Sequence, residues 1–175
     1  MKAAVVALGT VLAASVAMAG PDGTLNPGDT FPPWSMVDHT GLTVTSQELA
    51  GKTYLLWYYP KAMTSGCTAE GCALRDSYTE FVRQGVTVLG VSFDSPEKNS
   101  EFVRENGFPF RLLSDRDKSL AIAVGAADSA KRLFARRISY LVGGDGKVLK
   151  AYPQVDPSVH ARQVLDDLGV LAQAK

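Results

Sequence analysis

Two uninterrupted apolar runs, residues 53–59 and 86–93, constrain this fold more than anything else in the chain. A strand with one wet face alternates apolar and polar side chains, whereas a run that is apolar throughout belongs to a strand covered on both faces. Between the two runs lies a helical pattern reaching to about Gln84, in which Leu74, Tyr78, Phe81 and Val82 recur at helical spacing before Gly85 closes it. Two buried strands joined through a helix pair in parallel. A sheet buried on both faces needs helices on both, so the pattern predicts an α/β sandwich of three layers.

The flanking segments extend this plan. Residues 20–33 are rich in Gly and Pro and read as an extended lead-in, and residues 34–45 read as a hairpin turning at His39-Thr40-Gly41. Residues 46–51 form one helical turn closed by Gly51. Asp94-Ser95-Pro96-Glu97 starts a helix that ends near Gly107. A short strand at 109–113, a short helix at 117–124 and a strand at 138–142 follow, and Gly143-Gly144-Asp145-Gly146 turns the last into 147–152. A final helix covers 156–168, with Pro157 near its start. Helices between strands argue for parallel pairing, and the last two strands form an antiparallel hairpin. The order after the N-terminal β-hairpin is β-α-β-α-β-α-β-β-α, the layout of a thioredoxin-like three-layer α/β/α sandwich.

The chain has two cysteines, Cys67 and Cys72, where the first apolar strand gives way to its helix. A cysteine in the first turn of a helix sits where a thiolate is stabilised, because free backbone N–H groups and the positive end of the helix dipole both favour the anion. The thiolate is the nucleophile. Residues i and i+5 of a regular helix lie roughly 8–9 Å apart at Cα, about 140° around the axis, whereas a disulfide wants about 4.4–6.8 Å. Either the first turn is unwound from the start, or forming the bond melts it. A permanent stabilising disulfide is the alternative, but closing so short a loop removes only about 2 kcal/mol of unfolded-chain entropy, much of it cancelled by helix distortion. The spacing favours a disulfide that cycles.

The N-terminus bears on the redox setting. Lys2, an apolar stretch to Val16 and Ala17-Met18-Ala19 match the charged, apolar and small-x-small regions of a secretory signal peptide over residues 1–19, leaving a single domain over 20–175. The stretch is short and Ala-rich for a membrane anchor and is interrupted by Gly9 and Thr10. Export would place the cysteines in a compartment that permits disulfides, and a periplasmic location is the expectation. The chain carries 18 basic and 18 acidic side chains in its 175 residues, with no basic run, so nucleic acid is not an expected partner. His39 and His160 are its only histidines and neither has a metal-ligand spacing. No cofactor or metal is expected.

Tyr58-Tyr59-Pro60-x-x-x-Thr64-x-x-Cys67 resembles the Pro-x-x-x-Thr-x-x-Cys signature of the peroxiredoxins. Cys67-Thr-Ala-Glu70-Gly-Cys72 is similar to the Q-type, or bacterioferritin-comigratory-protein, branch, whose resolving cysteine lies five residues after the peroxidatic one. Residues 137–147, an arginine followed by strand and hairpin, look like a third family segment, and the resemblance spans roughly 26–168. Met63 and Ser65 depart from the residues usual in the branch, as does an exported chain. The resemblance implies a peroxidase that reduces hydrogen peroxide and organic hydroperoxides, is recharged by a thioredoxin-like reductant, and is a monomer. It implies Cys67 as peroxidatic nucleophile, Cys72 as resolving thiol, Thr64 as hydrogen-bond partner of thiolate and peroxide, and Pro60 as a shield against water. Arg137 would hold the thiolate and the peroxide oxygens, and Glu70 would orient Arg137 or the helix.

Chemistry supports these assignments independently. Attack of a thiolate on an O–O bond builds negative charge on the departing oxygen, and preorganised donors lower that barrier. A guanidinium offers forked donors and stays charged. Strand alternation places Arg137 on the side of Ser139 and Leu141, away from Arg136 and Ile138. Thr64 also suits a plain helix N-cap, and Glu70 a helix surface. A rival reading is an exported thioredoxin-like thiol–disulfide oxidoreductase, but that chemistry uses Cys-x-x-Cys, and the chain has Cys-x4-Cys. A binding domain with a static disulfide would leave Thr64 and Arg137 unexplained.

Overall fold

A computed structural model describes residues 23–173. Seven strands form one sheet: β1 (Ser35–Asp38), β2 (Thr43–Thr45), β3 (Thr53–Tyr58), β4 (Val86–Ser92), β5 (Arg111–Ser114), β6 (Ile138–Val142) and β7 (Val148–Tyr152), in the order β2-β1-β5-β4-β3-β6-β7. The helices are α1 (Ser65–Asp76), α2 (Tyr78–Arg83), α3 (Pro96–Asn106), α4 (Ser119–Ala123) and α5 (His160–Gln173), with a 3-10 turn at Ser46–Leu49. The leader expected at residues 1–19 lies outside the described residues. Among the described residues, no helix is long and apolar enough to cross a membrane.

The two apolar runs are the centre of the sheet. β3 and β4 pair in parallel with Leu56 opposite Leu89, and β4 pairs in parallel with β5. Alternate residues of β3 enter opposite cores. Tyr54, Leu56 and Tyr58 pack with Trp34, Val91, Leu113, Leu120 and Tyr140. Leu55, Trp57 and Tyr59 pack with Cys67, Leu74, Phe81, Phe102 and Val164 on the other face. That second face is covered by α1, α2, α3 and α5, whereas the first is covered by α4 and the segment leading into β1. The result is the expected α/β sandwich, with one thick and one thin helical layer.

Three details differ from the sequence reading. The helix expected to run unbroken to Gln84 breaks at Ser77, whose backbone (φ −95, ψ 1) ends α1 and begins α2. Serine is a weak residue for a helix interior, and the break leaves Phe81 buried but Val82 exposed, off the single stripe predicted. The last helix starts at His160, because a turn built on Asp156 occupies the residues before it: Asp156 Oδ1 accepts from the N–H and hydroxyl of Ser158. The third difference governs the site. Although α4 separates β5 from β6, β6 runs antiparallel to β3, with Ile138 opposite Tyr58 and Val142 opposite Tyr54. The long connection after α4 allows the chain to reverse before it rejoins the sheet. Arg137, just before β6, therefore lies at the end of β3 from which α1 departs. A parallel β6 would have put it at the opposite edge.

Candidate active site

The site forms where β3 ends. Tyr59, buried beside the last strand residue, donates its hydroxyl to Asn99 Oδ1 (2.8 Å), and burial pushes its pKa well above the usual phenol value. Pro60 follows, half-buried. The turn to the helix is pinned by Asp94, whose Oδ2 accepts from Ala62 N–H (2.8 Å) and from the Ser92 hydroxyl (2.9 Å). These bonds hold Met63 in the left-handed region (φ 64), a conformation that costs a side chain with a Cβ about 1 kcal/mol. Thr64 is then the extended residue preceding α1 (φ −89, ψ 149). Its hydroxyl donates to Lys61 O (2.9 Å) rather than to the helix or to Cys67.

Cys67 is the third helical residue of α1 and is completely buried. Its own N–H is one of the first-turn donors that have no carbonyl a turn back, so the sulfur stands at the positive end of the helix. Arg137 faces it, with Nη2 donating to Sγ at 3.3 Å. The other terminal nitrogen, Nη1, is ion-paired with Glu70 Oε2 one turn along α1. Burial works against the guanidinium charge, but Glu70 and Cys67 more than offset it and hold Arg137 above its ordinary value. Gly66 makes room for this contact: a Cβ there would come within 3.3 Å of Arg137 Nη2.

Glu70 has no solvent exposure, so its second oxygen needs a partner too. That partner is His160 Nδ1, 2.9 Å from Oε1, on the first residue of α5. Sequence reasoning missed His160. Dismissing it as a metal ligand left its pairing with Glu70, 90 positions away, unasked. The only local signal was its spacing, four and eight residues before Val164 and Leu168 on one helix face.

Cys72 also lies in α1, half-buried, and its Sγ is 3.9 Å from Asn106 Oδ1 at the end of α3. Both cysteines are free thiols within one helix. By helix geometry they are too far apart to bond without unwinding, the second of the two possibilities left open by the spacing. The structure thus gathers Cys67, Arg137 and Glu70 into one connected set, adds His160, and leaves Cys72 and the Thr64 hydroxyl turned to other partners. Among the described residues, no group of three or more His, Cys, Asp or Glu side chains could hold a metal ion.

A buried sulfur facing a fixed guanidinium at a helix start suits nucleophilic attack at oxygen. Comparison with known proteins agrees. The AhpC/TSA family profile matches residues 27–151. Peroxiredoxin Bcp of Escherichia coli (strain K12) is 37% identical over 147 residues, covering 81% of this chain and 94% of that relative. Among solved structures, peroxidoxin BcpB from Mycobacterium tuberculosis superposes with a TM-score of 0.77 at 29% identity, over 83% of this chain and 97% of the other. The bacterioferritin comigratory protein of Xanthomonas campestris, solved in a study of its alkyl peroxide reduction activity, gives 0.74 at 31%, over 81% and 92%. The chain belongs to the AhpC/TSA family, as a peroxiredoxin of the Bcp type, and is an oxidoreductase of the peroxidase class.

Proposed function

We propose that the chain is a two-cysteine peroxidase in which Cys67 is the peroxidatic nucleophile and Cys72 the resolving thiol. The observation that carries this reading is the Arg137 Nη2 to Cys67 Sγ contact at 3.3 Å. The Cys67 thiolate attacks the terminal oxygen of a hydroperoxide. The O–O bond breaks, the sulfur becomes a sulfenic acid, and the departing alkoxide or hydroxide takes a proton from solvent. Arg137, already pointed at the sulfur, is placed to donate to the oxygen on which charge develops. Thr64 contributes as an acceptor: its proton is given to Lys61 O, so its lone pairs are open to the O–H of the incoming peroxide. Pro60, half-buried at the mouth, presents no N–H and limits water.

Cys72 then attacks the sulfenic sulfur, the S–S bond forms and water leaves. This step requires the first turns of α1 to unwind. A dithiol reductant of thioredoxin-like kind returns two electrons and takes up the disulfide. Hydrogen peroxide and organic hydroperoxides are both substrates in this reading. Alkyl peroxide reduction is an activity of the Xanthomonas relative, and the exposed side chains of Met63, Leu133 and Phe134 offer an apolar surface in the segments leading to Cys67 and Arg137. We further propose a monomer, exported after removal of residues 1–19, with the periplasm as its site of action. The thiol–disulfide oxidoreductase alternative is disfavoured, because that chemistry uses Cys-x-x-Cys and this chain has Cys-x4-Cys.

Peroxide consumption coupled to a dithiol donor tests the scheme. Cys67→Ser should abolish turnover. Cys72→Ser should retain one rapid turnover and leave a sulfenic acid on Cys67 that dimedone traps. Turnover surviving in Cys67→Ser would reject the assignment. Intact mass of the secreted chain should begin at Gly20, and a retained Met1 would reject cleavage.

A further inference from the structure

We propose that His160 is a positioning residue for Cys67, acting through Glu70 and Arg137. The inference rests on the peroxidase reading above, although its geometry does not. The links run Nδ1 of His160 to Oε1 of Glu70 (2.9 Å), Oε2 of Glu70 to Nη1 of Arg137, and Nη2 of Arg137 to Sγ of Cys67 (3.3 Å). Glu70 and Arg137 each use both of their ends, so neither can rotate without breaking a contact on the next.

The chemistry fixes the direction of the first link. A carboxylate oxygen paired with a guanidinium can only accept, so the hydrogen of His160 is on Nδ1. Its Nε2 has no hydrogen-bond partner among the described residues and is fully buried. A ring kept only for packing would not need a nitrogen at the Nδ1 position, where it meets Glu70. Tyr152 packs edge-on against the imidazole (centroids 5.4 Å, 73°), and its hydroxyl is tied to Asp167 Oδ2 (2.9 Å), so the ring cannot turn away from Glu70. His160 opens α5, beyond residues 27–151 that carry the family match. The consequence is that α5 is part of the catalytic support: by holding the Glu70 carboxylate in one plane, it aims the Arg137 fork at the sulfur.

Two variants separate positioning from packing. His160→Phe keeps the ring and removes the donor, whereas His160→Asn places an amide N–H near the position of Nδ1. In the Cys72→Ser background, where Cys67 is the sole thiol, Phe should slow both oxidation by hydrogen peroxide and alkylation by iodoacetamide at pH 7 about tenfold. That is a smaller loss than the 10²–10³ expected for removing a donor outright. Asn should restore both rates to within about threefold of the parent. A folded Phe variant with parental rates would overturn the proposal, as would an Asn variant that folds yet is as slow as Phe. If the parent itself reacts slowly with peroxide, the peroxidase reading fails, while the alkylation series still judges His160. A measurement without any variant guards against misfolding. In long-range 1H–15N spectra of the reduced protein, His160 should carry its hydrogen on Nδ1. His39, whose Nδ1 accepts from Leu112 N–H (3.2 Å), should carry it on Nε2. A bare Nδ1 on His160 would overturn the assignment.

Discussion

At the scale of single residues, Arg137 does two things with one planar group. It pairs with Glu70 through one nitrogen and meets Cys67 through the other. Lysine keeps the charge but has no rigid fork, so it cannot do both at fixed geometry. Arg137→Lys should therefore fold, because Glu70 keeps a cationic partner, yet lose on the order of 10²-fold in the rate of Cys67 oxidation by peroxide. Stopped-flow oxidation beside a thermal melt checks this, and a rate within twofold of the parent would count against the contact. Arg137 was legible in the sequence because strand alternation puts it on the face of Leu141, which packs in the core that holds Cys67. Its use of both nitrogens was not legible, since nothing local to it announces Glu70. The Thr64 hydroxyl was read toward the sulfur and instead bonds Lys61 O, because a turn forced through a left-handed Met63 brings that carbonyl within reach.

Elements are where sequence and structure agree most and where their differences matter most. Continuous apolar runs located β3 and β4 to within a residue, since burial on both faces leaves no other way to read them. The orientation of β6 was not legible, because a strand's own pattern is the same in either direction. Pairing with β3 was set by the long segment before it. Two further elements give tests. The β1–β2 hairpin turns on Asp38, whose Oδ1 accepts from the hydroxyl and N–H of Thr40 and from Leu42 N–H. Burial opposes its ionisation, but these hydrogen bonds outweigh burial and hold the carboxyl below its usual 3.8. A lowered value means the stabilisation is present above pH 3.8 and is lost as the pH falls through the folded value. Asp38→Ala should cost about 2–3 kcal/mol at pH 7, and the gap from the parent in urea melts should narrow below pH 4. Helix α1 packs through Gly71, where a Cβ would meet the Phe108 ring at 2.5 Å. Gly71→Ala should lower stability by roughly 1–3 kcal/mol through overpacking, despite alanine's better helix propensity. A stabilised variant would show that α1 can slide.

For the whole molecule, the proposed cycle requires that α1 be folded for one half and open for the other. Its second half is anchored to the end of α3: Arg75 Nη1 donates to Asn106 O (2.6 Å), and Cys72 lies beside the Asn106 side chain. Its first turn is held by the buried Cys67 and the Arg137 contact. Joining Cys67 to Cys72 removes that hold, so amide exchange in the oxidised protein should speed up over 65–72 and stay unchanged in β3 and β4. Uniform protection in both states would mean that the disulfide forms without unwinding.

The most direct test is a thiol count. The reduced protein, freed of reductant, receives one equivalent of hydrogen peroxide, and free thiols are titrated within seconds. The account predicts that both thiols disappear together and that peptide mapping finds Cys67 bonded to Cys72 in the same chain. Two thiols persisting for minutes, as for an ordinary free cysteine, would contradict it.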